Sequence, residues 1–292
     1  MYLPALELHE ATSLDDAAAL LERFAPDVSV LAGGTDLLVD LKTGRHTIGH
    51  IVSLGRIAGM RGVSETDDGL TIGAMTTLSE LDASPLVALR YPVIRDATSR
   101  MAAPQIRNAA TVGGNIAGGV PCADLPPVLM VLDASVTLWS AGAERIVPLA
   151  TFLVGPRRTI LEPGEVLIAV TVPAPAPGSG AAYARFALRN GNAIAVAAVA
   201  ASLVLETDAT VRGARIALGA VAPTPRLVES AGAMLAGRRL DQDIDDVSEA
   251  AMAAAEPITD VRGTAGFRRR LVGVLTRRAI KAAGARAVEA AP

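Results

Sequence analysis

The chain has little from which to build disulfide or metal chemistry. It carries one cysteine, Cys122, and three histidines, His9, His46 and His50, among 292 residues. A single cysteine forms no internal disulfide and no cysteine-ligated zinc or iron–sulfur site of its own, which suits a reducing compartment. The histidines stand apart, with no cluster of ligand-type residues beside any of them, so they are expected at the surface or at strand ends and no metal site is expected. There is no Gly-x-x-x-x-Gly-Lys-Ser/Thr phosphate loop, no paired-histidine motif, and no Ser/His/Asp arrangement that assigns a nucleophile. Cys122, beside Pro121 and with no His or Lys nearby to lower its pKa, reads as a small filler.

Long apolar runs and an excess of cations are also missing. The longest apolar stretch, residues 193–205, falls short of the ~18 residues of a membrane span and contains Ser202. No basic, apolar leader opens the chain. A net charge of −3 argues against general nucleic-acid binding. The expectation is a soluble cytoplasmic protein with no membrane span and no nucleic-acid partner. With 51% hydrophobic residues over this length, it can bury large cores, and two or three compact units are expected.

What the chain does have is glycine in two paired turns. Ala32-Gly33-Gly34-Thr35-Asp36 follows an apolar strand-like run at 28–32 and precedes a helix to about residue 41, with Thr35 placed to cap it. Thr111-Val112-Gly113-Gly114-Asn115 lies far downstream. Glycine lacks Cβ, tolerates positive φ and leaves its N–H free to point at an oxyanion, so each turn suits a phosphate or simply turns the chain. Nanomolar affinity for a dinucleotide corresponds to about −12 kcal/mol, and a charge-assisted hydrogen bond contributes only roughly 1.5–3 kcal/mol. One loop is therefore too little; two loops closing on one diphosphate suffice when other contacts are added. Asp36 faces the wrong way electrostatically for a phosphate, so its carboxylate is expected to turn onto backbone amides or the helix start.

The rest of the chain reads as alternating short strands and helices up to residues 173–180, Pro-Ala-Pro-Ala-Pro-Gly-Ser-Gly, a linker or boundary. Ser13 with Asp16, and Thr77 with Glu80, have capping-box spacing. Pro85 and Pro92 open helices. Residues 116–127 are too rich in glycine and proline for regular structure, and Asp124 within them suits either a ribose hydroxyl or the cap of the helix after Pro126. Beyond residue 181 strands precede helices, as in an α+β unit: strands at 183–189, 194–205 and 212–221, then helices at 227–235, 244–255 and 264–283. In the last helix Phe267, Leu271, Val274 and Leu275 are expected to be buried, with Arg268, Arg269, Arg277, Arg278 and Lys281 on a solvated face.

The two glycine motifs, the continuation Pro121-Cys122-Ala123-Asp124-Leu125-Pro126-Pro127, the segment Tyr183-Ala184-Arg185-Phe186-Ala187-Leu188-Arg189, and the later Val221-Ala222-Pro223-Thr224-Pro225 and Asp260-Val261-Arg262-Gly263 together resemble the FAD-binding medium subunit of the molybdenum hydroxylases. That group includes xanthine and carbon monoxide dehydrogenases. The resemblance spans essentially the whole chain. It implies an α+β fold: a vanillyl-alcohol-oxidase-like (PCMH-type) FAD domain over 1–175, with two α/β subdomains at about 1–55 and 56–175, and a C-terminal domain over 176–292 with a small antiparallel sheet and helices. It further implies that residues 32–36 and 111–115 cradle the FAD pyrophosphate, that Asp124 meets the adenosine side, and that Leu167 and Arg185 lie near the isoalloxazine. Arg185 stands where lysine is common, and Asn192-Ala193 where many members carry an acidic residue. The implied partners are an iron–sulfur small subunit and a molybdenum-cofactor large subunit, in a dimer of heterotrimers passing electrons to NAD or a quinone. Two other functions compete: a self-contained flavin oxidase, and a non-catalytic nucleotide-binding module.

Overall fold

The computed structural model describes residues 2–290, which form three layers in chain order. The first holds β1 (Glu7–Glu10), α1 (Leu14–Phe24), β2 (Val28–Leu31), α2 (Leu37–Lys42) and β3 (His50–Ser53). Its sheet is parallel, with β3 between β1 and β2, and His50 is level with both Glu7 and Val28. The Ser13 hydroxyl accepts from the Asp16 N–H at 3.1 Å, while the Asp16 carboxylate reaches back one residue further than a capping box, to the Thr12 N–H at 3.0 Å. Ala17, Ala18 and Leu21 carry the buried face of α1.

The second layer is a five-stranded antiparallel sheet in the order β4 (Val63–Thr66), β5 (Gly69–Gly73), β10 (Val166–Pro173), β6 (Ser135–Ser140), β7 (Ala143–Pro148). Helices α3 (Leu78–Ala83), α4 (Pro85–Arg90), α5 (Pro92–Thr98), α6 (Pro104–Arg107), α7 (Val112–Ala117), α8 (Leu125–Val131) and α9 (Leu149–Phe152) accompany it, with the ribbon β8 (Leu153–Gly155) and β9 (Arg158–Thr159). Thr77 and Glu80 form a complete capping box. Prolines 85, 92 and 104 stand in first turns, where the missing N–H costs no bond. The 116–127 stretch is more regular than its composition implies. α7 runs through Ala117 and α8 begins at Leu125, because Pro126 and Pro127 occupy the turn that tolerates them and every residue of α8 is buried.

The third layer is an antiparallel sheet, β11 (Ser179–Ala187), β12 (Ala195–Leu205), β13 (Val211–Gly219) and β14 (Arg226–Leu227), backed by α10 (Glu229–Leu235), α11 (Asp245–Ala254) and α12 (Ala265–Glu289). The long apolar run seen in the sequence is β12, buried on both faces apart from half-buried Ser202 and Val204. Ala195, Ala198 and Ala200 join the core of the second layer, whereas Ala197, Val199, Ala201 and Leu203 face the helices. Small side chains there let two layers close on one strand. Residues 173–180 are not a free tether: Gly180 lies so close to α12 that a Cβ would sit 2.3 Å from the Ala283 carbonyl oxygen. The Arg286 guanidinium donates to Asp96 Oδ2 at 2.6 Å, Asp96 Oδ1 at 3.0 Å and the Ala181 carbonyl at 2.7 Å, pinning α12 to α5 and β11.

The buried stripe of α12 is rotated from the expected one. Val272, Leu275, Thr276, Ala279, Ile280 and Ala283 are buried, Val274 is exposed, and Arg268 is 3% exposed. Arg268 belongs inside because it reaches the Val196 carbonyl at 3.1 Å and the Asp260 carboxylate at 2.5 Å, the latter held in its own turn by the Arg262 N–H. A buried guanidinium with a paired anion is tolerable where an unpaired one is not.

Candidate functional site

The two glycine turns meet. Together they line one cleft of about 480 Å³, within the usual range for small-molecule sites, at the seam of the first and second layers. Gly33 lies against residues 109–110, and an added Cβ on Gly114 would stand 3.8 Å from Ala32 Cβ. Of the residues singled out from sequence, Ala32, Gly33, Gly34, Thr35, Asp36, Thr111, Gly113, Gly114, Asn115 and Leu167 line the cleft. Val112 does not; its side chain is fully buried in the core.

The two turns differ in what they offer. In the first, the N–H groups of Gly33, Gly34, Thr35 and Asp36 donate to no acceptor among the described residues. Gly34 sits at φ +71°, the left-handed conformation that points successive amides to one side. In the second, the amides are already used. Val112 N–H donates to the Thr76 carbonyl at 2.9 Å, Gly113 N–H to the Ala74 carbonyl at 2.8 Å and Gly114 N–H to the Thr111 hydroxyl at 3.1 Å. Glycine is needed at 113 because a Cβ would come 2.7 Å from that of Ala74. The second turn is thus a wall that lets the backbone come close, and its free polar atom is Asn115 Oδ1, buried and without a partner. A ligand hydroxyl satisfies that oxygen, and turning the amide over presents its NH₂ to a phosphate instead. Free amides on one side and an unpartnered buried amide on the other fit a diphosphate.

Asp36 does not cap α2: it is the N-cap residue, but its exposed carboxylate makes no capping bond, and Thr35 makes none either. The helix start is therefore left open to an anion. Residues not anticipated from sequence complete the lining, among them Arg45, His46 and Arg157. Asp40, buried in α2, organises the cations: Arg157 Nη1 donates to Oδ2 at 2.6 Å, and Arg45 lies 3.9 Å from Oδ1. The Ser29 hydroxyl is 3.0 Å from His46 Nε2. The signal for these residues was slight, a basic pair in the polar turn after α2 and an arginine in a short ribbon.

At the other end, Leu161, Val166 and Leu167 give an apolar lining, where the β10–β6 ladder carries a bulge between Leu167 and Ala169. Glu165 also lines the cleft, but Arg145 grips both its oxygens at 2.6 Å, and that hydrogen bonding holds its carboxyl below the ordinary range.

Asp124 and Arg185 do not line the cleft; the structure pairs them with each other. Arg185 Nε lies 3.4 Å from Asp124 Oδ1 without hydrogen-bonding geometry, and Tyr183 OH donates to the same oxygen at 2.5 Å. The Arg185 fork is spent on the Arg100 carbonyl at 2.7 Å and the Ala193 carbonyl at 2.6 Å. Burial pushes the Asp124 carboxyl up, with Arg185 and Tyr183 pulling it back, and burial and Asp124 push the Tyr183 phenol well up. The cluster ties the turn before α8 and the β11–β12 hairpin tip to residues 100–102.

Residues 4–175 match the family model described as FAD binding domain in molybdopterin dehydrogenase, and residues 181–283 that described as CO dehydrogenase flavoprotein C-terminal domain. The carbon monoxide dehydrogenase medium chain of Hydrogenophaga pseudoflava is 35% identical, across 98% of this chain and 99% of its own length. A putative xanthine dehydrogenase FAD-binding subunit of Escherichia coli is 33% identical over 96% of both. Among solved structures, reconstituted CO dehydrogenase from Oligotropha carboxidovorans has a chain that superposes with a TM-score of 0.94 at 36% identity, covering 98% of this chain and 100% of that one.

Proposed function

Because the chain belongs to the FAD-binding family of the molybdopterin dehydrogenases, we propose that its two glycine turns close on the diphosphate of FAD. The chain is the medium, FAD-carrying subunit of a molybdenum hydroxylase, an oxidoreductase component that transfers electrons. The observation that carries the site assignment is the set of unused amides at residues 33–36 facing the unpartnered Asn115 across one cleft.

In this reading Gly33, Gly34, Thr35 and Asp36 donate backbone N–H groups to the diphosphate, Gly113 and Gly114 admit it closely, and Asn115 completes the cradle. Arg45 and Arg157 supply nearby positive charge. The apolar lining at Leu161, Val166 and Leu167 excludes water at the ring end. Asp124 and Arg185 act at one remove, fixing the turn before α8 and the hairpin tip. FAD, when bound, supplies reversible redox chemistry that the side chains of this chain lack. Residues 1–175 form the FAD-binding part and 176–292 the part that caps it.

An iron–sulfur small subunit delivers electrons drawn from a molybdenum-cofactor large subunit, the assembly is a cytoplasmic dimer of heterotrimers, and NAD or a quinone takes the electrons away. No helix among the described residues is long and apolar enough to cross a membrane. A self-contained flavin oxidase needs a base by the ring, and Glu165, the carboxylate at that end, has both oxygens occupied by Arg145, which lowers its basicity.

Purification of the assembly from its host is the test. The expected result is a yellow complex with one FAD per copy of this chain, accompanied by iron–sulfur and molybdenum subunits. A colourless chain that takes up no FAD, or oxidation of a small alcohol by this chain alone, overturns the reading.

A further inference from the structure

The expectation that the histidines are isolated does not survive the fold. His9 and His50 are 41 residues apart in sequence, yet His9 Nε2 and His50 Nδ1 are 3.1 Å apart. The parallel pairing of β1 with β3 sets Glu7 level with His50, and the two-residue period of a strand puts Glu7 and His9 on one face. Glu7 Oε2 consequently lies 3.8 Å from His9 Nε2 and 3.6 Å from His50 Nδ1. Among the described residues this is the one group of at least three His, Cys, Asp or Glu whose ligand atoms gather within 4.8 Å of one another.

We propose that Glu7, His9 and His50 form a binding site for a divalent transition metal of the zinc class. The distances decide in favour of a metal. The nearest point equidistant from three atoms with these separations, in their own plane, lies about 2.0 Å from each, the lower end of the zinc–imidazole and zinc–carboxylate range of about 2.0–2.2 Å, and a small inward turn of the exposed Glu7 lets a metal rise out of that plane toward a tetrahedral position. Two imidazoles and one carboxylate are the borderline donors that zinc, cobalt and nickel take, and a poor set for calcium or magnesium, which favour oxygen. Both imidazoles are about one-fifth exposed and Glu7 is far more open, so a fourth position faces solvent.

The ligands are also held. Both imidazole rings stack on Phe24 of α1, with centroids 4.6 Å away for His9 and 3.9 Å for His50, and Arg23 Cζ lies 5.0 Å from the Phe24 centroid. Rotation of either ring is thereby restricted before a metal arrives. Without a metal, one imidazole N–H donates to the other ring. A metal takes the lone pairs of the two facing nitrogens, so each ring then carries its N–H on its remaining nitrogen. Glu7 opens the edge strand β1 and His50 opens β3, with His9 two residues along β1, whereas the turn at residues 32–36 leaves β2 from its C-terminal end. Metal binding therefore reinforces the first layer without touching the cleft, and stands independently of the FAD reading.

Full-length chain, stripped with EDTA and desalted, is titrated with zinc chloride by calorimetry and with cobalt chloride by visible absorption. The expected result is one equivalent of either metal per chain, the strong visible bands of four-coordinate cobalt, and a melting temperature that rises with free zinc. Glu7→Gln, His9→Gln and His50→Gln each weaken zinc binding at least tenfold. Glu7→Gln alters an exposed side chain that the fold does not need, so it decides the matter alone if a histidine variant fails to fold. Absence of zinc binding to the parent at millimolar metal, or unchanged affinity in Glu7→Gln, overturns the proposal.

Discussion

Gly33 stands so close to Ala109 that a methyl group on it would lie 2.0 Å from the Ala109 carbonyl oxygen and 2.7 Å from its carbonyl carbon. The glycine is therefore required by the meeting of the two turns before any ligand is considered. A substitution at this point pushes the turns apart, and with them the donors of one from the wall of the other.

Gly33→Ala is accordingly expected to lower flavin content at least tenfold and to lower the melting temperature as well, since the obstacle is backbone and cannot swing aside. Gly191→Ala, with nothing within 4 Å of an added Cβ, is the control and should change stability by less than about 0.5 kcal/mol. Flavin absorbance per chain after desalting, together with thermal melts, checks both. A Gly33→Ala chain that keeps its flavin and its melting temperature contradicts the account.

Asn115 should respond with opposite signs in the two states. Its Oδ1 is buried without a partner, a cost of about 1–3 kcal/mol that a ligand removes. Asn115→Leu therefore leaves the flavin-free chain as stable as before or more so, while weakening flavin binding about tenfold or more. Urea unfolding of the flavin-free chain and a flavin fluorescence titration separate the two effects.

Arg185 and Asp124 behave as a buried pair, their side chains 6% and 10% exposed. Arg185→Met strands the carboxylate and should cost about 3–5 kcal/mol. Adding Asp124→Asn should recover at least about 1 kcal/mol of that, as contacting residues couple. The pH dependence has a definite sign. Burial already raises the Asp124 carboxyl, and loss of Arg185 raises it further. The folded state then holds a proton that the unfolded state, titrating near about 3.9, has released. Stability of Arg185→Met should fall as pH rises from the unfolded value through the folded one. Denaturant melts across that window check the slope, and a flat or rising one counts against it.

Cys122 should be a slow thiol. Burial pushes it up, Asp124 adds to the shift, and Arg262 pulls weakly the other way. At pH 8 its thiolate fraction is below that of a free cysteine, whose pKa is about 8.5. Iodoacetamide should label it at least tenfold more slowly in the folded chain than in urea, as read by intact mass.

The sequence alone determined what depends on neighbours along the chain. The caps at Ser13 and Thr77, the helix starts at Pro85 and Pro92, the long apolar run of β12 and the two glycine turns are all legible, because each rests on local hydrogen bonding or on the composition of a short segment. The buried face of α12 departs from its hydrophobic periodicity, because Asp260 and the Val196 carbonyl draw Arg268 inward. Only the tertiary structure decided that the turns converge, that the first keeps its amides while the second spends them on Ala74 and Thr76, and that Arg45 and Arg157 share Asp40. The pairing of Asp124 with Arg185 and the gathering of His9, His50 and Glu7 belong with these. Each of these arrangements depends on at least one contact between residues tens of positions apart, and strand register and layer packing set those contacts, which local residue chemistry does not encode.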